Sequence, residues 1–491
     1  MIGIDVGWTN THVAVFKDDE IDTIELPNEL GISNILSKIK SLAEKERAVI
    51  STSLLNQLIH RLDEFRTLTI LIPGPGMNYS NYGEIVRGFV NHRGDVVENV
   101  DEKEIRELLK SKKYDNIAIA AKFSVRNSSI EEKVKNVAIE FVDESKIALS
   151  YHVGGFNYLA RINTTVINAK VKSLIFDFTN KIKSVFDNFY YYKGDCGITP
   201  WQFVVENPSL LYNSSSASSA IGAIYLTKEK NAVVIDIGGS LTKIIVVENG
   251  MPKIVDGITI HGKKTLIRSI NSIELPFGGD SIVAERLSQR CSKPIAFGGK
   301  DFTFIDALNC LGYEIGDYKA SREEGKKFDC EKILQQYISL VCDVLKGLDV
   351  KKIVGVGNLS SILVPKIAES CKFDYVIPKY NQFSGAIGVA VSKLSLTLFA
   401  RFDTEKGIAT YNGVVEKCPF RTGSLPSEEE VVEVAVKKLY EIARNFAKES
   451  EFGKLKVLNI DSYTVVRGGI RRGAIYDLVV QLEPGIKWKN S

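Results

Sequence analysis

Apolar and polar positions alternate in short blocks along this chain, strand-like runs giving way to helix-like ones as far as about Ala400. The opening stretch, MIGIDVGWTNTHVAVFKDDE, reads as two apolar strands around a tight polar turn. The arrangement returns at Ala232 as AVVIDIGGSLTKIIVVENGMP. Between the copies, RAVISTSLLNQLI predicts a strand entering a helix, and TLTILIPGPG, NIAIAAK and KIALSYHVGG predict strands. Helical spacing covers Ile35–Glu46, Asp101–Lys112, Ser129–Asp143 and Ile162–Tyr190. After the second copy, helices are expected over Thr265–Ile270, after the turn at Gly278–Asp280, over Lys332–Lys346 and from Asn381. KKIVGVGNLSSILVPKIAES reads as strand, Gly-rich turn and helix. Beyond Ala400 come strands, a helix over Glu428–Lys448, and strands near Lys456–Val466 and Ile475–Leu482. Alternating strands and helices predict an α/β fold. The expected division is 1–198, 199–400 and a small α+β appendage over 401–491.

The repeat carries chemistry. With Asp5 on Asp236, Gly7 falls on Gly238, Thr9 on Ser240 and Thr11 on Thr242. Glycine lets backbone N–H groups approach an anion, and the hydroxyls add donors. An Asp at a strand end can hold Mg²⁺ through water. The roughly 230-residue offset is too long for a solenoid and fits two similar domains sharing a cleft. Two such turns would clamp a polyphosphate from both sides.

Composition narrows the class. With 491 residues, 44% hydrophobic and 25% charged, the chain has the makeup of a multidomain globular protein. A net charge of +3 gives no basic field for nucleic acid. No apolar run reaches membrane-spanning length, and the N-terminus is already a strand rather than a signal peptide. The seven Cys are scattered without a C-x-x-C pair, so free thiols in a reducing, cytoplasmic setting are expected. Of the side chains outside the repeat, His152 and Cys196 read as structural rather than chemical.

Several further segments, in order, resemble the hydantoinase A/oxoprolinase family. They are LIPGPG, EIVRGFVNHRGD, KFSVRN, VINAKV, KGDCG, SSASSAIGAIYL, ELPFGGDS and FSGAIGVAVSKLS, beside the two hairpins. The resemblance covers nearly everything from Met1 to about Ala400. It implies two RNase H-like lobes of the actin-like ATPase type around a nucleotide cleft, with ATP and Mg²⁺ as cofactors. It further implies ATP-driven opening of a small cyclic amide such as a hydantoin or 5-oxoproline. The second half of that chemistry would fall to a hydantoinase B-like or other companion subunit; a homo-oligomer stays open. Carried onto this chain, Asp5, Gly7, Thr9, Asn10 and Thr11 form one phosphate loop, and Asp236, Gly238, Gly239, Ser240 and Thr242 the other. Asp5 and Asp236 would hold the metal. Gly355, Gly357 and Asn358 would pack on the adenosine, Ser384 marks the helix where the lobes reconnect, and Gly278, Gly279 and Asp280 line the cleft. Asp195 would stand near the transferred phosphoryl group, completing a catalytic set with Asp5 and Asp236.

The departures open other readings. Trp8 stands where the family has Gly, and His12 and Lys243 replace the Asp that closes each loop. A catalytically weakened homologue serving as a nucleotide-binding or scaffold subunit, or a small-molecule kinase on the same fold, are the alternatives.

Overall fold

Val and Ile fill the central strands of two mixed sheets, and the two sheets share one strand order. The computed structural model describes residues 1–17, 20–40, 47–349 and 351–488. In the first sheet, Ile2–Val6 pairs antiparallel with Asn10–Lys17, which pairs antiparallel with Glu20–Pro27. On its other side Ile2–Val6 runs parallel to Ala48–Thr52, and that strand to Phe189–Tyr192. In the second sheet, Ala232–Ile237 pairs antiparallel with Thr242–Glu248, which pairs antiparallel with Ser272–Leu275. Ala232–Ile237 then runs parallel to Lys352–Val356, and that strand to Asp374–Val376. The duplication visible in the hairpins therefore extends to five strands. Ile2, Ile4, Val233 and Ile235 are completely buried, as expected for strands covered on both faces.

Small residues let the two halves meet. Helices Ser214–Thr227 and Ser384–Ala390 cross where a Cβ on Gly222 would strike the Ser384 carbonyl and one on Gly388 the Ser218 carbonyl. A third sheet is wholly parallel: Ile147–Leu149, Asn116–Ala121, Thr67–Ile72 and Glu84–Ile85. The helix Tyr158–Lys183 joins it to the first sheet, packing Ile167, Val171 and Ile175 one way and Tyr158 and Ile162 the other. The C-terminal sheet is antiparallel, in the order Val414–Lys417, Ile408–Tyr411, Thr397–Asp403, Ile470–Leu482, Leu455–Arg467. Helix Glu428–Arg444 covers it through Val431, Ala435, Leu439 and Ala443, a four-residue spacing that keeps one face inward.

Some expected elements differ. Thr265–Ile270 is not helical: Arg268–Ile270 is a strand paired with Ile254–Asp256. No helix follows Asp280, because Ser281–Val283 pairs with Leu287–Cys291 and the Val283 amide donates to Phe302 O. Both segments have helix-compatible spacing that tertiary pairing overrides. KIALSYHVGG yields only Ile147–Leu149 before a 3₁₀ turn at Ser150–His152. The helix expected to Tyr190 ends at Lys183, and Phe189–Tyr192 is a strand. Helix Ile32–Lys40 matches the start of the expected Ile35–Glu46, whose residues 41–46 lie outside the described residues. The thiols are not all free: Cys342 and Cys371, 29 residues apart, form a disulfide where helix Cys330–Leu345 packs on Ser360–Cys371. No helix among the described residues is long and apolar enough to cross a membrane.

Candidate functional site

The two hairpin turns close in the same way and face each other. The Gly7 amide donates to Asn10 O and the Gly238 amide to Leu241 O, both at 3.0 Å. A Cβ added at Gly239 would strike the Asp280 carboxylate and lie 3.0 Å from Thr9 Oγ1, so the turns approach to contact. Between them lies a cavity of about 120 Å³. Asp5, Gly7, Thr9, Asn10, Asp236, Gly238, Gly239, Ser240, Gly357, Asn358 and Ser384 line it, with Trp8, His12 and Lys243. Ser240 Oγ is buried and has no hydrogen-bond partner among the described residues. A buried hydroxyl without a partner in a glycine-containing turn is the kind of group an oxyanion can match.

Each aspartate sits under a glycine from a later segment. A Cβ on Gly385 would strike the Asp5 carboxylate, and one on Gly357 would come within 2.7 Å of Asp236 Oδ1. Gly357 also has φ +88, a conformation that favours glycine. Asp5 accepts from Ser51 Oγ at 2.6 Å and Ser215 Oγ at 3.3 Å. Burial pushes its carboxyl above the usual range; the Ser51 hydroxyl, Lys243 and His12 pull it back, and Asp236 adds to the rise. Asp236 lies 4.0 Å from Lys243 Nζ.

Register reveals a second layer of duplication. Asp5 stands opposite His12, and His12 opposite Glu25. Asp236 stands opposite Lys243, and Lys243 opposite Glu274. Directly opposed residues share one face of a sheet, so each half presents an acid–base–acid row. His12 Nε2 is 3.3 Å from Glu25 Oε1. The adjacent His12 imidazole holds the Glu25 carboxyl below its ordinary range, against its burial, with help from Asn358 and Asn10. The Asn358 contact, Nδ2 to Glu25 Oε1 at 3.1 Å, ties the second half to the first. Glu25 and Glu274 were not legible as site residues, because neither belongs to the repeated motif; following the ladder one strand further would have found both.

Five expected residues turn away from this cavity. Thr11 donates to Asn28 Oδ1 at 2.7 Å, and Thr242 donates to Phe277 O at 2.8 Å. These final threonines of the motif fasten the turns instead of facing a ligand. Gly355 packs on Val364, Gly278 on the Gly238 and Gly239 carbonyls, and Gly279 on Ile305 and Leu359. Asp280 reaches an adjoining cavity of about 1010 Å³, which also touches Trp8, Ser240, Asn358, Phe297 and Ile362. Among the described residues no hydrogen bond or ion pair engages its carboxylate, and burial pushes it up to about 6. Asp195 is a correction. Its carboxylate pairs with Lys193 at 3.0 Å and lines a different cavity, so it does not stand with Asp5 and Asp236. Cys196 beside it is buried, which raises its thiol, in keeping with a structural role.

The donor set fits a hydrated divalent cation. Two carboxylates repel each other in a desolvated cleft, and that is the charge a cation relieves. Among the described residues no three His, Cys, Asp or Glu gather as a closed metal cage. An ion held there would keep much of its water, the habit of Mg²⁺.

Residues 161–347 match the hydantoinase/oxoprolinase family, and residues 52–142 match the hydantoinase/oxoprolinase N-terminal region. An uncharacterized protein of Methanocaldococcus jannaschii is 23% identical over 342 residues, covering 65% of this chain and 48% of that protein. The chain thus spans about half the length of this curated relative. Nucleotide-free acetone carboxylase superposes with a TM-score of 0.72 at 14% identity, over 100% of this chain and 88% of that one. The ATP-dependent caprolactamase of Pseudomonas jessenii gives 0.65 at 14%, with the same coverage of each. At that identity the likeness establishes a shared mixed α/β fold.

Proposed function

The chain belongs to the hydantoinase/oxoprolinase family, and from that premise we propose that it is the ATP-binding, phosphorylating component of a cyclic-amide hydrolase. In this reading the two sheets are RNase H-like lobes, and the cleft between the hairpins takes the nucleotide. The observation that carries it is the pair of matched turns in contact, with the unpartnered Ser240 hydroxyl between them. Acetone carboxylation by the first structural relative and the caprolactamase activity of the second are both ATP-dependent.

The residues divide the work. Backbone amides of Trp8 and Thr9 and of Gly239 and Ser240, with the Thr9 and Ser240 hydroxyls, grip phosphate oxygens. Lys243 offsets phosphate charge, and Asp5 and Asp236 would hold a hydrated Mg²⁺ that would screen the polyphosphate. The larger cavity, with Phe297 and Ile362, receives the base beside Gly357 and Asn358. An amide carbon is a poor electrophile. Transfer of a phosphoryl group to its enolised oxygen, with ADP departing, creates a leaving group and opens the carbon to water. A hydantoinase B-like or other companion completes hydrolysis.

A second reading, a weakened nucleotide-binding or scaffold subunit, draws on Lys243 beside Asp236 and on the Trp8 indole, 47% exposed at the cleft mouth. Calorimetric titration of Mg-ATP into the purified chain separates the two. Micromolar binding, and ATP turnover lost in Asp236→Ala with an unchanged circular dichroism spectrum, are expected. A folded chain that binds no nucleotide would overturn the enzyme reading. Trp8→Gly refines the answer: tighter binding means the indole obstructs the site, weaker binding that it touches the nucleotide.

A further inference from the structure

Asp280 is a carboxylate buried without a partner, among the described residues, beside two turns suited to anions. Only 8% of it is exposed, and it lines the larger cavity of about 1010 Å³. Buried polar groups are normally hydrogen-bonded, so one that is not, at the wall of a ligand cavity, points to the ligand.

The backbone fixes its place. The Gly279 amide donates to Gly238 O at 3.1 Å and the Asp280 amide to Gly239 O at 2.7 Å, so the segment lies along the second turn. The Gly278 amide donates to Ser281 Oγ at 3.0 Å, and the Ser292 amide to Asp280 O at 2.9 Å. A Cβ on Gly239 would strike Asp280 Oδ2 and lie 3.0 Å from Thr9 Oγ1, which puts the carboxylate where the first turn meets the second. Thr9, Asn10, Gly239 and Ser240 line both cavities. A polyphosphate running from the turns into the larger cavity therefore passes this carboxylate.

The surroundings decide its charge. Lys293 pairs with Glu29 at 2.9 Å, Glu25 with His12 at 3.3 Å, Glu314 with Arg322 at 3.9 Å and Asp236 with Lys243 at 4.0 Å. Asp306, on the helix Phe304–Cys310 beside Gly279, accepts from the Ile295 and Ala296 amides. The Cys291 thiol, on the same cavity wall, is raised by burial, and Asp280 adds to the rise. Among the described residues no cation is set against Asp280, and burial alone lifts its carboxyl. No three His, Cys, Asp or Glu among these residues gather as a metal cage, so Asp280 stands apart from Asp5 and Asp236. An ionised carboxylate at this point would meet phosphate oxygens charge to charge in a desolvated cleft. The neutral acid offers the same oxygens an O–H donor.

We propose that Asp280 contacts the nucleotide as a neutral acid, its O–H donating to a phosphate oxygen, so that Mg-ATP binding takes up one proton from solvent. This rests on the nucleotide reading above and adds a proton to it. Affinity then weakens as pH rises, because the free carboxylate has to be protonated before the contact forms.

The test is calorimetric titration of Mg-ATP into the full chain at pH 7 in PIPES, HEPES and Tris, whose differing ionisation enthalpies report the protons exchanged. An uptake of about 0.9 proton is expected, and Kd should rise about tenfold from pH 7 to pH 8. Asp280→Asn, whose amide donates without a proton from solvent, should abolish the uptake, level the affinity over that range and bind about tenfold or more tighter than wild type at pH 8. Should that variant fail to fold, Asp280→Ala serves, with no uptake and an affinity independent of pH. Mg-ATP binding without proton uptake, or uptake that persists in a folded variant, would overturn the proposal and leave the nucleotide reading standing. Uptake-free binding that weakens for 2′-deoxy-ATP would overturn it in favour of an ionised carboxylate on the ribose hydroxyls. A folded chain that binds no Mg-ATP from pH 6 to pH 8 would overturn both.

Discussion

The first hairpin and the second are the same motif in different electrostatic surroundings. Asp5 is 6% exposed and held by two serine hydroxyls, and its opposite base, His12, is engaged by Glu25 on the third strand. Asp236 has its opposite base, Lys243, at 4.0 Å. The repeat fixes backbone and register; the neighbouring strands and helices decide what surrounds each acid. One half therefore carries an acid that resists ionisation, and the other an acid beside a fixed positive charge.

The sharpest way to break the comparison is to neutralise each acid. Asp5→Asn and Asp236→Asn should each lower ATP turnover by about a hundredfold or more. Their stabilities should part. The raised pKa of Asp5 means that the native state loses stability as pH rises from the unfolded carboxyl value through the folded one. Asp5→Asn removes that loss and should raise Tm at pH 7. Asp236→Asn leaves Lys243 without its partner and should lower it. Equal Tm shifts in scanning calorimetry would show that the halves are electrostatically alike.

Asp280 tests the seam between the halves. With its carboxyl raised to about 6 by burial alone, native stability should fall by roughly 3 kcal/mol between about pH 4 and pH 6 and then level off. Asp280→Asn should flatten that limb and be the more stable protein at pH 7. Urea unfolding across this range reads it directly, and parallel curves for the two proteins would place the carboxyl in water.

Smaller effects separate the bases. Lys243→Met should weaken Mg-ATP binding about tenfold, while His12→Gln, already committed to Glu25, should change it about twofold or less. Reversed magnitudes would mean that His12 serves the phosphates. The Glu25 carboxyl is lowered, so its contribution is present above the unfolded value and is lost as pH falls through the folded one. As pH falls through that lowered value the Glu25–Asn358 contact should open, read as faster amide exchange in Glu20–Pro27; unchanged exchange would mean that the contact does not hold the halves together.

Much of this was legible before the fold was seen. The hairpins, helix Cys330–Leu345 and the strand–turn–helix at Lys352–Cys371 follow from periodicity. The differences fall where pairing with distant strands overrides a helix-compatible spacing. Arg268–Ile270 and Ser281–Val283 are strands because distant partners pair with them. The site was legible at the turn residues, since glycine and hydroxyl spacing is a local requirement. Glu25 and Glu274 were hidden because their role comes from ladder register.

What the sequence determined by itself is local: two tight turns carrying Gly, Ser and Thr, and apolar strands leading into each. Those follow from backbone sterics and side-chain chemistry within a few residues. The tertiary structure decided the rest. It turned Thr11 and Thr242 inward, moved Asp195 to a second cavity beside Lys193, joined Cys342 to Cys371, and gave each base a different acid. Burial and charge pairing are set by what packs against a residue, and for these residues the neighbours arrive from strands and helices far along the chain.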